Sequence, residues 1–272
     1  MSAIPRAVRE FHPNAAVLQV ASFALAERFI GGGVPCIVYL RDGDFARLGG
    51  PIREAPNLRY LATSRDLVRR FEQSFGIVPL CLPPVVRAER YRVAPRRTNV
   101  TFVCPFPTKG VDIALHLAAQ RPDIPFAFVE SWHLPLPRRF ALHRRLRTTP
   151  NVTYRPRSDD MRAVYREAKA LLVPSRTAEG WGRVVSEAQV SGLPVIATDY
   201  GALPEAVGPG GILVDPAADL GEWEDAVARI WDDDAEYERL AALAEAHARR
   251  PEFRPAALIE KLLAVLSDLI ET

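Results

Sequence analysis

The chain has 272 residues and a net charge of +2, with 48% hydrophobic and 25% charged residues. That length allows one large domain or two modest ones, the composition is that of a globular protein in water, and the charge is too nearly balanced for nucleic acid to be the main partner. No apolar run reaches the roughly 20 residues of a transmembrane segment, and the opening MSAIPRAVREFHPN lacks the basic start and apolar stretch of an export signal.

The three cysteines, Cys36, Cys81 and Cys104, are odd in number, far apart and set in or beside apolar runs. This usage predicts reduced, buried thiols in a cytoplasmic protein rather than a disulfide or metal framework. The 24 prolines are dispersed between apolar runs and read as loop punctuation.

In chain order, apolar runs predict strands at 16–20, 36–40, 58–62, 80–82, 100–104, 126–129, 152–154, 170–173, 195–197 and 211–214. Most lack polar alternation, the mark of strands buried on both faces of a parallel sheet. Amphipathic stretches predict helices at 22–30, 64–75, 110–120, 138–148, 159–167, 182–191, 220–232, 235–249 and 255–270. Ser64 and the run Ser158-Asp159-Asp160 are capping signals. Gly31-Gly32-Gly33 reads as a helix stop and loop. Such alternation predicts an α/β protein with parallel sheets.

The basic segment 87–98, RAERYRVAPRRT, breaks the alternation and reads as a linker. The expected division is a shortened α/β domain over 1–90, a fuller α/β domain over 91–252, and a final helix over 253–272 packing across the two.

The stretch 173–215 carries most of the functional signal. The strand ending in Pro174-Ser175 leads into a loop and a helix, and open parallel sheets bind ligands at the carboxyl ends of their strands. Gly180 and Gly182 allow tight turns and close approach. The first N–H groups of the next helix, from Gly182 to Val184, lack intrahelical partners and favour an anion. Glu187 stands about one turn into that helix, within reach of sugar hydroxyls, and Glu179 precedes it by eight positions. Taken alone, the two glutamates and two glycines read better as a solvated helix and an ordinary turn; their placement on strand, loop and helix, with a second turn after them, is what argues for a site. A second turn follows at Asp199–Glu205.

Pro-Ser at 174–175, Glu-Gly-Trp-Gly at 179–182, Glu187, Ser-Gly-Leu-Pro-Val-Ile-Ala-Thr-Asp at 191–199, Gly-Ala-Leu-Pro-Glu at 201–205 and Gly-Ile-Leu-Val at 211–214 occur in order. Together they resemble the donor half of the retaining glycosyltransferases of family four, which have the GT-B fold. Lys109-Gly110 resembles that family's lysine-glycine pair, and 151–156 its base-cradling strand and loop.

The resemblance implies two Rossmann-type doubly wound parallel-sheet domains, the first abbreviated. It also implies transfer of a sugar from a nucleotide-diphosphate sugar, with retention, to a carbohydrate or lipid-linked acceptor. On this reading Lys109 neutralises the leaving diphosphate, and the backbone at Gly180, Gly182, Arg183 and Val184 holds it. Glu187 grips the ribose, Glu179 orients the donor sugar, and Pro156, Arg157 and Ser158 face the base. Such transfer rests on electrostatic stabilisation of the leaving group and on positioning. It requires no metal or other cofactor, and the sequence has no Asp-x-Asp motif.

Three departures from the family stand out. Cys104-Pro105-Phe106-Pro107 replaces the usual glycine-arginine pair, leaving open whether Arg183 supplies the missing charge. No glycine-rich loop follows the first strand. Where the family often has a histidine, this chain has Arg41-Asp42-Gly43-Asp44, so Arg41, Asp42 and Asp44 are either acceptor-side residues or a surface turn.

The shortened first half supports a second reading, a non-catalytic nucleotide-sugar-binding subunit that needs a partner chain. It also predicts a homodimer or hetero-complex. A nucleotide-sugar epimerase is a third reading, poorly served by the histidines, which read as packing or surface residues. The arginine-rich helix at 138–147 is either a solvated face or a surface for anionic lipid or an acidic acceptor. A peripheral position at the inner membrane surface is the corresponding expectation for location.

Overall fold

The computed structural model describes residues 10–19, 23–50 and 52–271. Met1–Arg9, on which the reading of the amino-terminal signal rests, lie outside the described residues, as do Val20 and Ser22 at the ends of an expected strand and helix. The chain forms two α/β units. Unit 1 comprises 1–85, 179–181 and 251–272; unit 2 comprises 86–178 and 182–250.

Unit 1 has a four-stranded sheet in the order β1 (Ala16–Gln19), β2 (Cys36–Leu40), β3 (Leu58–Ala62) and β4 (Leu80–Cys81). All its strand pairs are parallel. Successive side chains of a strand point to opposite faces, and both faces here are covered. Cys36, Val38, Leu58 and Tyr60 pack with Phe23 of helix α1 (Phe23–Gly31) and with Leu67 and Phe71 of α2 (Arg65–Phe75). Ile37 and Leu61 point the other way, onto Leu258 and Leu269 of the chain's final helix (Pro255–Glu271). Helix α2 starts where expected: the Ser64 side chain accepts from Leu67 N at 3.1 Å. It ends at Gly76, whose φ of 70° is the left-handed region that glycine enters without strain.

Unit 2 has six parallel strands: β5 (Asn99–Val103), β6 (Phe126–Val129), β7 (Val152–Arg155), β8 (Ala168–Val173), β9 (Val195–Thr198) and β10 (Gly211–Val214). Their order is β10-β9-β8-β5-β6-β7. The chain thus builds outward in one direction from β5 and in the other from β8, and the reversal between those neighbours is a topological switch point. The helices are α3 (Val111–Gln120), α4 (Leu136–Leu146), α5 (Met161–Glu167), α6 (Arg183–Gln189), α7 (Leu203–Val207), α8 (Leu220–Trp231) and α9 (Asp234–Ala248); the final helix of unit 1 is α10. Phe102, Phe128, Leu117, Leu172, Ile196, Trp223 and Tyr237 are central to the core.

Three local readings are refined. The linker segment 87–98 opens unit 2 and lies on it. Val93 N donates to Ser191 Oγ at 3.0 Å and Thr98 N to Glu167 O at 2.8 Å, fastening it to unit 2. Strand β8 begins at Ala168, earlier than its apolar run, because Lys169 is buried within it and donates to Trp231 O at 2.9 Å and Asp234 Oδ1 at 3.2 Å. Helix α5 is capped by Asp160, which accepts from Arg162 N at 3.0 Å, while Ser158 only steadies the turn before it.

Candidate functional site

At the switch point of unit 2, the loops leaving β5 and β8 meet. Cys104, directly after β5, has a φ of 68°, a left-handed conformation that costs a non-glycine residue about 1 kcal/mol. Phe106 N donates back to Cys104 O at 2.7 Å, so the Pro-Phe-Pro loop is tightly turned. A short 3-10 turn, Pro107–Lys109, then delivers Lys109 and Gly110 to the start of α3. Gly110 has a φ of 78°, and a Cβ there would run into the carbonyl of Pro174. Close approach of backbones, as well as conformation, therefore demands glycine at this position. Arg176 N donates to Thr108 O at 2.9 Å, and the Arg176 guanidinium pairs with Asp112, closing the junction. The Lys109 ammonium lies 5.9 Å from the Trp132 ring centre, beside Phe106.

Gly182 begins α6 with a φ of 77° and packs against Leu203. One turn on, Glu187 is buried. Its Oε2 accepts from the Tyr165 hydroxyl at 2.9 Å, and its Oε1 lies 3.3 Å from the Arg183 guanidinium. Arg183 also donates to Tyr91 Oη at 3.4 Å. Burial pushes the Glu187 carboxyl above the ordinary glutamate range, opposed by Tyr165, Arg183 and Tyr91, in that order. Burial also pushes the Tyr165 phenol well up, and the neighbouring Glu187 charge adds to it. Arg183 thus attends to the carboxylate rather than standing free as a substitute for the arginine missing near Lys109. Val184 is half-buried behind it.

On the other flank of the switch point, Pro156 and Arg157 are exposed after β7, and Arg157 pairs with Asp159 at 3.3 Å. Ser158 is half-buried and donates to Asp160 O at 3.0 Å. Glu130, at the carboxyl end of β6, is buried and accepts from Leu134 N at 2.8 Å, Arg139 Nη2 at 2.8 Å and the Tyr154 hydroxyl at 2.7 Å. Burial would raise its pKa, but these donors outweigh burial and hold it at about 2. A cavity of about 740 Å³ opens beyond the Arg176–Asp112 pair, lined by His116, Ser175, Thr198, Tyr200 and Asp219 among others. Lys109 and Glu187 are not among its lining residues.

Glu179 and Gly180 belong to unit 1. The Gly180 carbonyl accepts from Thr63 Oγ1 at 2.8 Å, and a Cβ at Gly180 would collide with the Arg41 carbonyl. The close approach that Gly180 permits is to the protein's own backbone at the end of β2. Arg41 donates to Gln19 Oε1 at 2.8 Å, and Asp42 Oδ1 accepts from Asp44 N at 3.1 Å, a side-chain-closed turn. Unit 1 also has a groove of about 710 Å³ along β3 and α10.

The structure of unit 2 therefore assembles Lys109, Gly110, Gly182, Arg183 and Glu187 on the loops and helix at one end of its sheet. Sequence reasoning missed Tyr165, Tyr91 and Trp132. The two tyrosines carry no signal beyond helical spacing and a basic segment, and Trp132 carries none as a single aromatic in a loop. Two histidines have structural partners: His116 binds Glu224 at 2.7 Å, and the His247 ring fills the space beside Gly208. Among the described residues, no helix is long and apolar enough to cross a membrane.

Residues 97–233 match the family described as glycosyl transferases group 1, half of the chain. D-inositol 3-phosphate glycosyltransferase of Corynebacterium glutamicum (strain R) is 44% identical over 110 residues, 40% of this chain and 25% of that protein. The enzyme of the same name from Mycolicibacterium smegmatis is 34% identical over 170 residues, 59% of this chain and 38% of that protein. The aligned regions thus span between a quarter and two fifths of these relatives' lengths. Among solved structures, Anabaena Alr3699/HepE in complex with UDP superposes with a TM-score of 0.80 at 19% identity, covering 97% of this chain and 81% of that one. WaaG, a glycosyltransferase involved in lipopolysaccharide biosynthesis, gives 0.75 at 16% identity, covering 97% and 80%. These neighbours establish the GT-B type of two parallel-sheet α/β domains, and with half of its length matching the family, the chain belongs to the group 1 glycosyltransferases.

Proposed function

We propose that unit 2 binds a nucleoside diphosphate sugar at its switch point, and that the protein transfers the sugar to a carbohydrate or lipid-linked acceptor with retained anomeric configuration. The observation that carries this reading is the junction at Gly110. There the loop bearing Lys109 is locked against the carboxyl end of β8 by a glycine that no other residue can replace. A lysine fixed at the mouth of a parallel sheet is a preorganised cation for a leaving diphosphate. The backbone at Gly182–Val184 completes the anion cradle, with Gly182 turned into the left-handed region.

The Glu187 carboxylate serves the ribose. Its contacts with Tyr165, Arg183 and Tyr91 fix its orientation and leave a lone pair for a ligand hydroxyl. Pro156, Arg157 and Ser158 face the base. The role of Glu179 in orienting the donor sugar follows from the family resemblance alone, and Arg41, Asp42 and Asp44 are proposed for the acceptor side on the same footing.

The test is a thermal-shift panel of nucleoside diphosphates and their sugars, with UDP and UDP-glucose first. Ligand binding to the folded state raises the melting temperature with the logarithm of ligand excess. One nucleotide is expected to stabilise the protein, and Glu187→Ala to abolish that shift without unfolding the chain. A flat panel would overturn the reading. Product analysis with carbohydrate, lipid-linked and inositol phosphate acceptors then tests transfer, and the anomeric configuration of the product tests retention.

A further inference from the structure

From Ser131 to Ser158 the chain carries seven arginines and no acidic residue. Two of these arginines are neutralised, Arg139 by Glu130 and Arg157 by Asp159. Arg138, Arg144, Arg145 and Arg147 are exposed on and just after α4, and none has an acidic partner among the described residues. The same helix exposes large apolar side chains. Phe140 is 72% exposed and Leu136 is 64% exposed, and four residues apart they share one stripe of the helix. Trp132, 66% exposed, stands in the loop just before. Only Leu142 and Leu146 turn inward to the core of unit 2.

We propose that α4 and its leading loop form a face that lies on an anionic phospholipid bilayer. At roughly 3.6 residues per turn Arg144 and Arg147 share the stripe of Leu136 and Phe140, whereas Arg138 and Arg145 lie off it. Unpaired arginines on an exposed Leu-Phe stripe combine the two halves of interfacial binding: electrostatic attraction to headgroup phosphates and shallow insertion of an apolar edge. An acidic soluble partner would meet the charge but leave Leu136 and Phe140 in water. The face is also rigid before it meets a surface. Glu130 ties the loop to Leu134 N, Arg139 and Tyr154, so little ordering is needed on binding. This inference is independent of the nucleotide-sugar reading.

The test is co-sedimentation of the full chain with vesicles of phosphatidylcholine, with and without 30 mol% phosphatidylglycerol. Binding is expected only to the anionic vesicles, weakening as salt is raised, with a blue shift in tryptophan emission. The double variant R144A/R147A removes the two charges on that stripe and should bind on the order of 30-fold more weakly. The double variant L136S/F140S keeps every charge and should bind roughly tenfold more weakly, or worse, through lost insertion. All four residues are exposed, so circular dichroism and melting temperature should stay at wild type. The nucleotide thermal shift should also be unchanged, which separates failure here from failure of the donor site. Equal binding to neutral vesicles, or none to either, overturns the proposal. So does heparin or RNA binding that L136S/F140S leaves intact while vesicles are ignored, since that outcome assigns the face to a soluble polyanion.

Discussion

The sheet of unit 1 runs β1-β2-β3-β4 in chain order, whereas that of unit 2 runs β10-β9-β8-β5-β6-β7. In unit 1 each strand joins the growing edge, helices α1 and α2 share one face, and α10 returns to cover the other. In unit 2 the chain grows both ways from the β5–β8 pair, and the loops that leave those two strands meet at the seam. Identical building blocks thus give a sheet that grows from one edge in one unit and a sheet with a topological switch point in the other, and strand order, more than composition, decides which.

Glycine is used differently at the two sheets, which gives the largest expected effect. In unit 2, Gly110→Ala forces a Cβ into the Pro174 carbonyl at a left-handed φ of 78°. Backbone cannot yield as a side-chain tip can, so a loss of about 3 kcal/mol or more is expected, measured by urea denaturation. In unit 1, Gly180→Ala meets the Arg41 carbonyl and should cost a similar amount. A Gly110→Ala variant that melts as wild type would mean that the seam is not locked. Loss of nucleotide binding while a residual fold persists would tie the locked seam to the ligand.

Next in size is Glu130, which pins the β6–α4 loop of unit 2. Its folded value of about 2 lies below the ordinary 4.5. Its stabilisation is therefore complete above about pH 4.5 and is lost as pH falls through that window toward 2. Glu130→Gln should cost about 2 kcal/mol at pH 7 through weakened charge-assisted bonds. The gap between variant and wild type should close on acidification, read by denaturation at pH 7 and pH 3. A gap that is constant with pH would mean that the carboxylate charge contributes nothing.

Glu187 runs the opposite way. Burial sets its folded pKa above the ordinary range, so protonation begins at higher pH than for an exposed glutamate. Its charge is a burden on folding, and the carboxylate is proposed to be held for the ligand. If ribose binding needs the ionised form, nucleotide affinity should fall as pH drops through that raised value. Glu187→Gln should bind about tenfold more weakly at pH 7, roughly 1.4 kcal/mol, and show no such pH dependence. An unaltered pH profile in the variant would detach Glu187 from the ligand.

Much of this contrast was legible in the chain. Unbroken apolar runs such as Phe126–Val129 marked buried parallel strands, and Ser64 marked a helix start. The glycines at 110 and 182 lay where loops had to turn. What escaped was set by partners distant in sequence. Lys169 looked like the end of an apolar run, yet it is buried because Trp231 O and Asp234 accept from it and the rings of Trp231 and Tyr237 flank it. Tyr165 looked like a core aromatic, and only the fold shows its hydroxyl on Glu187. Gly180 looked like room for a ligand, but the room is occupied by Arg41. Local pattern records conformation and burial; it does not record which polar atom, tens of residues away, completes a hydrogen bond.

The smallest effects concern helix starts, one in each unit. Ser64 caps α2 in unit 1 and is fully buried, and Asp160 caps α5 in unit 2 from an exposed position. Both accept a backbone N–H that would otherwise be orphaned, and alanine at either costs about 1 kcal/mol. Burial should separate them. Without its hydroxyl, position 64 leaves Leu67 N unbonded with no water to replace the cap, whereas solvent reaches position 160. Ser64→Ala is therefore expected at about 1 kcal/mol, and Asp160→Ala nearer 0.5 kcal/mol. Denaturation midpoints of the two variants test this. Equal losses would mean that access of water to the helix end is irrelevant and that the sequence signal alone sets the value of a cap.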